Sequence, residues 1–504
     1  MNIQNIQFKD KNYKNIGKFM TFKPIFITIV LLLISQNAIA QQWAAPGDAT
    51  LRRDVELLKS YNIIDGPLNT WPISWKQITK SINVTEYERY PSHVMSAIDR
   101  VRDKIPRKGF RGSATLRYTN EPNLVRGFSN MARSDTDLSA SVGFTEESIE
   151  ANVTVNYRDN VINNNVNFDS SYIAAHIGNW SLYAGAIDRW WGPGQDNTLL
   201  LGTNARPMMS AGFRRNDPKA FKSKWLNWIG PWTWDMFVAN MGDNREIPDA
   251  LMAGIRLGIE PIKNLEIGLS RTMQLCGQGR PCNFNTWTKS IIAIGDLDNT
   301  GSVNEPGNQL ASIDLSYSFN IDDKSFKIYA EGTAEDEHII VPFQFARLIG
   351  VTYTNPVGEK GDKISLNIEL SDSGNVAAWL FGRRRAGIIY NHFIYKSGHR
   401  FDGRTLGHSF DNDSKLASIT AAYTRHNGDT YRFSLRNANI NFDDTPRNIV
   451  SFNRQKYQSA EFSASKALNF GFIEINVTFQ TKARTLTQDI LPRLAGGLTW
   501  RIDV

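Results

Sequence analysis

At 504 residues the chain could hold several soluble domains or one large barrel with an accessory domain. Its formal charge of +7 is mostly at the start: residues 1–23 carry five Lys and one Asp, so the remainder holds about +3, too little to suggest nucleic-acid binding. After Ala40 no run approaches the roughly 20 apolar residues of a spanning helix, which excludes helical membrane proteins. A mean hydropathy of −0.36 does not exclude a β-barrel, because a barrel faces lipid with only every second residue.

Residues 1–40 read as an export signal: a basic stretch ending at Lys23, an apolar core from Ile25 to Ile34, and the small-residue box Ala38-Ile39-Ala40. The mature protein is expected to begin at Gln41. Met20 lies just before the apolar core and competes with Met1 as the start of translation.

Residues 41–108 read as a small periplasmic helical domain. Asp48 is placed to cap a helix with Leu51, Val55 and Leu58 on one face, and Val94, Ile98, Val101 and Ile105 repeat that spacing. Between them lie the turn Asp65-Gly66-Pro67, the segment Thr70-Trp71-Pro72, and a third short helix carrying Trp75 and Ile78. Such a unit is either plain packing or a plug or docking surface below a barrel.

From about Phe110 the period changes to two. Leu138, Ala140, Val142 and Phe144 alternate with Ser139, Ser141, Gly143 and Thr145, and Ile149 to Arg158 does the same. The pattern recurs at Leu251 to Ile259, Leu265 to Leu269, Ile313 to Phe319, Ile364 to Leu370, Ala417 to Tyr423, Ile473 to Phe479 and Leu498 to Val504. Tyr118, Tyr157, Tyr317 and Tyr423 fall where an aromatic girdle belongs. Short links at 146–148, 178–180, 260–264, 320–324, 426–430 and 468–470 alternate with long ones at 189–206, 274–309, 334–346 and 438–455. Short periplasmic turns and long external loops are expected of an outer-membrane barrel. The link from Arg214 to Pro231 is too long for its periplasmic side. Residues 109–504 are thus predicted to form a transmembrane antiparallel β-barrel of about 16 to 20 strands, a mainly β fold, in the outer membrane of a Gram-negative cell.

Cys276 and Cys282 are predicted to form a disulfide, since an exported chain meets an oxidising compartment; two Cys without a nearby His leave zinc short of ligands. In the segment Asp188 to Gln195, Trp190 and Trp191 precede a Gly-Pro-Gly turn. Such indoles can stack on sugar faces, and the neighbouring amides of Gln195 and Asn197 can bind hydroxyls, although Trp at a strand end also serves girdle or loop packing.

Five segments together resemble the capsule assembly Wzi family. They are Trp43 to Asp54 continuing to Thr70-Trp71-Pro72; Arg189 to Gly194; Glu305 to Leu310 with Asp314; Tyr329-Ala330-Glu331-Gly332 followed by Glu335-Asp336-Glu337; and Gly403 to Ser409 with Asp413. The resemblance covers nearly the whole mature chain. It implies an 18-stranded outer-membrane barrel with a periplasmic helical bundle, a lectin that attaches exported capsular polysaccharide to the cell. The Val504 terminus, the cysteine loop and the long excursion 274–309 depart from the pattern and bear on sugar specificity.

The candidate polysaccharide contacts are Trp190, Trp191, Gln195, Asn197, Trp287, Arg404, His408 and Asp413. Glu335, Asp336 and Glu337 are adjacent acids in one loop, not the opposed pair a glycosidase needs. Arg383-Arg384-Arg385 could meet an acidic polymer, but lumen-facing Arg paired with acids is commoner in barrels. Asp296 to Gly301 begins like a calcium loop but has Gly307 where a bidentate Glu is required, and Asp411-Asn412-Asp413 reads as a turn. His392, His399 and His408 accompany no nucleophile pattern. A non-enzymatic lectin is therefore expected, with no cofactor or metal and with capsular or exopolysaccharide, outer-membrane lipid and the capsule export machinery as partners. The alternatives are a porin or glycan-export channel and an outer-membrane carbohydrate enzyme.

Overall fold

The computed structural model describes residues 43–82, 89–106, 108–159, 165–292, 307–335, 344–377, 384–483 and 491–504. The export signal, the alternative start at Met20, Asp296 to Gly301, Glu305-Pro306, Asp336-Glu337 and Arg383 lie outside these residues.

Three helices open the described chain: α1 (Ala49–Ser60), α2 (Trp75–Ile82) and α3 (Ser92–Asp103). Asp48 caps α1 as its position suggested, its Oδ1 accepting from the Leu51 N–H at 2.8 Å. Leu51, Val55 and Leu58 pack on Val94, Ile98 and Val101, with Ile78 closing the cluster.

Eighteen long strands follow. They are β1 (Gly109–Thr119), β2 (Thr136–Thr145), β3 (Ile149–Arg158), β4 (Tyr172–Ile177), β5 (Trp180–Ala186), β6 (Met209–Arg215), β7 (Trp232–Asn240), β8 (Leu251–Ile262) and β9 (Leu265–Leu275). A fourth helix, α4 (Phe284–Ile292), precedes β10 (Gly307–Ile321), β11 (Lys324–Glu335), β12 (Gln344–Val357), β13 (Asp362–Ala377), β14 (Lys415–Thr424), β15 (Thr430–Ile440), β16 (Gln455–Leu468), β17 (Gly471–Gln480) and β18 (Leu494–Asp503). Each pairs antiparallel with the next, and β18 returns to β1 through Gly497↔Thr119 to Asp503↔Ser113, closing the barrel without a free edge.

The alternation acquires its direction here. Val153, Leu182, Leu269, Ile328, Leu435 and Ile475 are exposed on the outer wall, whereas Glu150, Thr154, Ser270, Lys327, Ser434 and Thr478 are buried on the inner one. Tyr118, Tyr157 and Tyr317 are likewise exposed, as a girdle requires. Among the described residues no helix is long and apolar enough to cross a membrane; the strands cross it. The protein sits in the outer membrane with its N-terminal helices on the periplasmic side. They meet the short-turn end: Arg100 donates to the carbonyls of Arg425 and His426, in the turn between β14 and β15.

The link after β6 is the exception to short periplasmic turns. It exposes Trp225 and Trp228 beside Lys222 and Lys224, a composition that suits the membrane interface rather than a tight turn.

Candidate functional site

The lumen is filled by protein. The N-terminal helices enter from the periplasmic end, and the β5–β6 loop (187–208) and residues 384–414 before β14 fold inward from the other. Trp191, Leu199, Leu200 and Leu201 pack with Tyr329, Leu348, Tyr390 and Leu406 in one buried cluster, while Trp190 joins the helical core with Trp71 and Phe128. The helical segment both packs a core of its own and pairs with Lys327 and Lys363 of the inner wall.

Four glutamates on the barrel wall hold this filling by its backbone. Glu260 of β8 accepts from the Gly66 N–H at 2.6 Å and pairs with Lys59 at 3.0 Å. Glu266 of β9 accepts from Leu68 and Asn69 at 2.8 and 2.7 Å. Glu331 of β11 accepts from Leu199 at 2.9 Å and from the Thr198 hydroxyl. Glu369 of β13 accepts from Gln195 at 2.6 Å, Asp196 at 3.2 Å and Asn197 at 2.9 Å, and from the Tyr329 hydroxyl at 2.9 Å. A loop removed from water must satisfy its N–H groups, and a carboxylate with two oxygens serves several at once.

Ion pairs fasten the helices. Asp54 of α1 meets Arg100 at 2.7 Å and Lys363 at 2.5 Å, and Glu56 meets Lys327 at 2.8 Å. Burial pushes the Asp54 carboxyl up, but Arg100 and Lys363 outweigh it and hold it well below the usual carboxylate range. Glu56 is lowered in the same way, burial being outweighed by Lys327 and Arg52.

Trp190 and Trp191, read from the sequence as candidate polysaccharide contacts in the long link 189–206, are instead buried. Trp190 and Trp191 are each 1% exposed and pair as a short strand with Trp71 and Thr70. The Trp190 indole N–H donates to the Gly194 carbonyl at 3.1 Å, and Trp191 meets Phe237 edge-on at 5.6 Å. The Gly-Pro-Gly turn returns the chain into the lumen instead of outward, because two large apolar rings are better buried there.

Gln195 donates to Glu56 at 3.0 Å, so it lies at the junction of loop and helix. Asn197 is buried, and its Oδ1 accepts from the Ser409 N–H at 2.8 Å. His408 is buried with Nε2 2.9 Å from the Ser371 hydroxyl. Burial lowers its pKa to about 4 against the pull of Asp372, Asp411 and Asp196, so it is neutral at pH 7. Asp413 accepts from the Gly387 N–H at 2.7 Å and is pushed up to about 6, chiefly by burial. Asn197 thus ties the β5–β6 loop to the residues before β14, His408 ties those residues to β13, and Asp413 closes a contact within the same segment. Among the described residues no cluster of His, Cys, Asp or Glu could hold a metal ion.

Arg404 and Trp287 stand nearer the outside, each partly exposed. The Arg404 guanidinium donates to the Leu124 carbonyl at 2.9 Å, and its neighbour Arg126 donates to the carbonyls of Asn204 and Arg133. Neither has a carboxylate partner among the described residues. Burial, with Arg133 adding to it, lowers Arg404 to about 10, and burial with Arg404 and Arg133 lowers Arg126. The pair concentrates positive charge, with Asp137 acting on Arg126 only from beyond ion-pair distance. Trp287 lies on α4 against Ala253, Met273, Leu275 and Cys276, next to the Cys276–Cys282 disulfide, which closes the predicted loop with a Cα–Cα distance of 4.7 Å.

Sequence reasoning missed the wall glutamates. Glu331 lay inside a quoted family segment, but nothing in an alternating strand separates an acid that holds a plug from one that faces lumen water.

The sequence signature of the family described as capsule assembly protein Wzi matches residues 99–487. A Klebsiella pneumoniae protein described as an uncharacterized 55.8 kDa protein in the cps region is 30% identical over 310 residues, 60% of this chain. The chain spans 60% of that relative's length. Among solved structures, Wzi of Escherichia coli, described as an outer membrane protein involved in group 1 capsule assembly and a carbohydrate-binding β-barrel, superposes with a TM-score of 0.78 at 22% identity, covering 92% of this chain and 99% of that one. The Pseudomonas aeruginosa outer membrane protein opdK gives a TM-score of 0.42 at 9% identity over 78% of this chain and 98% of its own. With its signature running from the end of the helical segment almost to the last strand, the chain belongs to the capsule assembly protein Wzi family.

Proposed function

We propose that the protein is a non-enzymatic outer-membrane lectin that attaches exported capsular polysaccharide to the cell surface. In this reading residues 1–40 are removed on export, residues 41–108 form the periplasmic helical domain, and residues 109–504 form the barrel. The filled lumen carries the conclusion: helices and inward loops share buried clusters across it, which suits retention rather than passage. Family membership supports it, since the E. coli relative is described as a carbohydrate-binding barrel in capsule assembly.

The polymer meets the external rim, where Arg404 supplies a charge suited to acidic sugars and Trp287 an apolar face. Trp190, Trp191, Gln195, Asn197, His408 and Asp413 support those contacts by holding the loops beneath. Individually weak contacts suffice, because a repetitive polymer offers many equal sites. Outer-membrane lipid and the export machinery complete the set of partners.

Equilibrium binding of the purified barrel to the source organism's own surface polysaccharide, beside conductance in planar bilayers, tests the proposal. Saturable, salt-weakened binding without large conductance is expected, with Arg404→Ala weakening binding about fivefold. Large open-pore conductance without binding would establish the porin alternative, and shortened polymer chains after incubation would establish an enzyme.

A further inference from the structure

The outer wall of the barrel is not uniform. A groove of about 810 Å³ runs across β14 to β17 toward their external ends, with an apolar floor that includes Ala417, Ile419, Leu435, Ala460 and Phe479. Its origin lies in register. Ile419, Leu435, Ala460, Phe479 and Leu494 form one row across five strands, so the small Ala460 leaves a notch between Leu435 and Phe479. The large neighbours are exposed on the wall, where lipid chains lie.

The rows above change character in order. Two residues toward the outside, Ala417, Asn437 and Gln458 lie side by side, Gln458 donating to the Asn437 side chain at 3.3 Å and its own N–H donating to the Thr481 hydroxyl at 3.0 Å. The next row brings Lys415, Asn439 and Lys456 together. Lys482 and Arg493 line the groove itself. Lys456, Lys482 and Arg493 are exposed, and none has a carboxylate partner among the described residues. From the apolar row to the lysine row is four residues, about 14 Å along a strand.

We propose that this groove is a binding site for a phosphorylated, multiply acylated glycolipid of the outer leaflet. The wall presents an apolar notch, then amides, then cations, and such a lipid presents acyl chains, then linkage carbonyls and sugar hydroxyls, then phosphates, in the same order and direction. Lys456, Lys482 and Arg493 hold the phosphates, the Asn437–Gln458 pair bonds the sugar and linkage oxygens, and the notch at Ala460 seats a chain. A glycerophospholipid matches the floor but brings one phosphate and no sugar to the amide row. The site would tie the barrel to the glycolipid leaflet beneath the polymer.

The full-length protein, purified from outer membranes and delipidated, is mixed with bis-phosphorylated lipid A, its dephosphorylated form or phosphatidylglycerol, and bound lipid is counted by native mass spectrometry. One phosphorylated lipid A per barrel is expected, with the other two lipids retained at least about tenfold less. Lys482→Glu with Arg493→Glu lowers retention about tenfold, and Ala460→Trp fills the notch and abolishes it; heat-modifiable migration reports that each barrel is folded. Phosphatidylglycerol retained as well as lipid A, or undiminished retention in either folded variant, would overturn the proposal.

Discussion

Replacing Glu369 by Ala removes the acceptor of three loop N–H groups and of the Tyr329 hydroxyl. A buried donor left without a partner costs about 1–3 kcal/mol. With water entering the space left by the side chain, the lower half of that range applies, and the three N–H groups together give about 3–6 kcal/mol of lost docking. Each 1.4 kcal/mol is about tenfold in an opening equilibrium, so amide exchange in the loop should accelerate roughly 10²- to 10⁴-fold. The informative amides are those whose own bonds the substitution leaves intact: Trp191, donating to the Leu201 carbonyl, and Gly192, donating to that of Asn69, both at 2.9 Å. Hydrogen exchange read by mass spectrometry should show both deprotected while strand amides of the barrel stay as in the wild type. Glu369→Gln retains one oxygen but turns an amide nitrogen toward N–H donors, and should fall between. Unchanged exchange at Trp191 and Gly192 in the alanine variant would refute the idea that wall carboxylates hold the loop in the lumen.

Acidification should loosen the β13–β14 loop. Burial lowers His399 and His408 to about 4 each, His399 against Asp411 and with Arg400 and Arg245, so their neutral forms belong to the fold. That contribution is complete above the ordinary pKa near 6.5 and is lost as pH falls from there toward 4; at pH 5 each His costs about 2 kcal/mol. Asp413, raised to about 6, works the other way and returns about 1.4 kcal/mol over the same interval. His392 of the same loop, lowered to about 4 by burial and by Arg280, adds a third cost of about 2 kcal/mol, so a net loss of about 4.5 kcal/mol should appear as faster exchange of amides 389–410 between pH 7.5 and 5, after correction for intrinsic rates; equal protection at both would contradict the assignment. Trp190→Ala, which empties a site shared with Phe128 and the Arg52 guanidinium, should cost about 3–5 kcal/mol of plug packing. Its polysaccharide binding should fall only together with loop protection, whereas Arg404→Ala should lower binding with protection intact; exchange measured beside binding separates the two.

Much of the fold was legible because each barrel strand has one wet and one dry face. The alternation of Leu138 to Phe144 and Ile149 to Arg158, with the alternation of short and long links, led to a barrel of about 16 to 20 strands, and Asp48 announced its helix through a local bond. The Cys276–Cys282 pair was legible for the same reason, being set by six residues of separation and an oxidising compartment. The fate of the long loops was not. Trp190-Trp191-Gly192-Pro193-Gly194 has one composition whether it projects outward or turns inward, and the choice rests on partners as distant in sequence as Trp71 and Glu369. Glu260, Glu266, Glu331 and Glu369 were hidden likewise, since a lumen acid is recognised as a plug ligand only when the plug is in place. The Arg214 to Pro231 link broke the length rule because it follows the composition of an interface segment, with Trp225 and Trp228 exposed, rather than that of a turn.

Retention of polymer at the surface is tested most directly by partitioning capsular polysaccharide between cells and medium in a strain lacking this protein. The predicted result is undiminished total polymer with most of it shed, and its return to the cells when the intact gene is restored. Unchanged cell-bound polymer in the deletion strain would contradict the account.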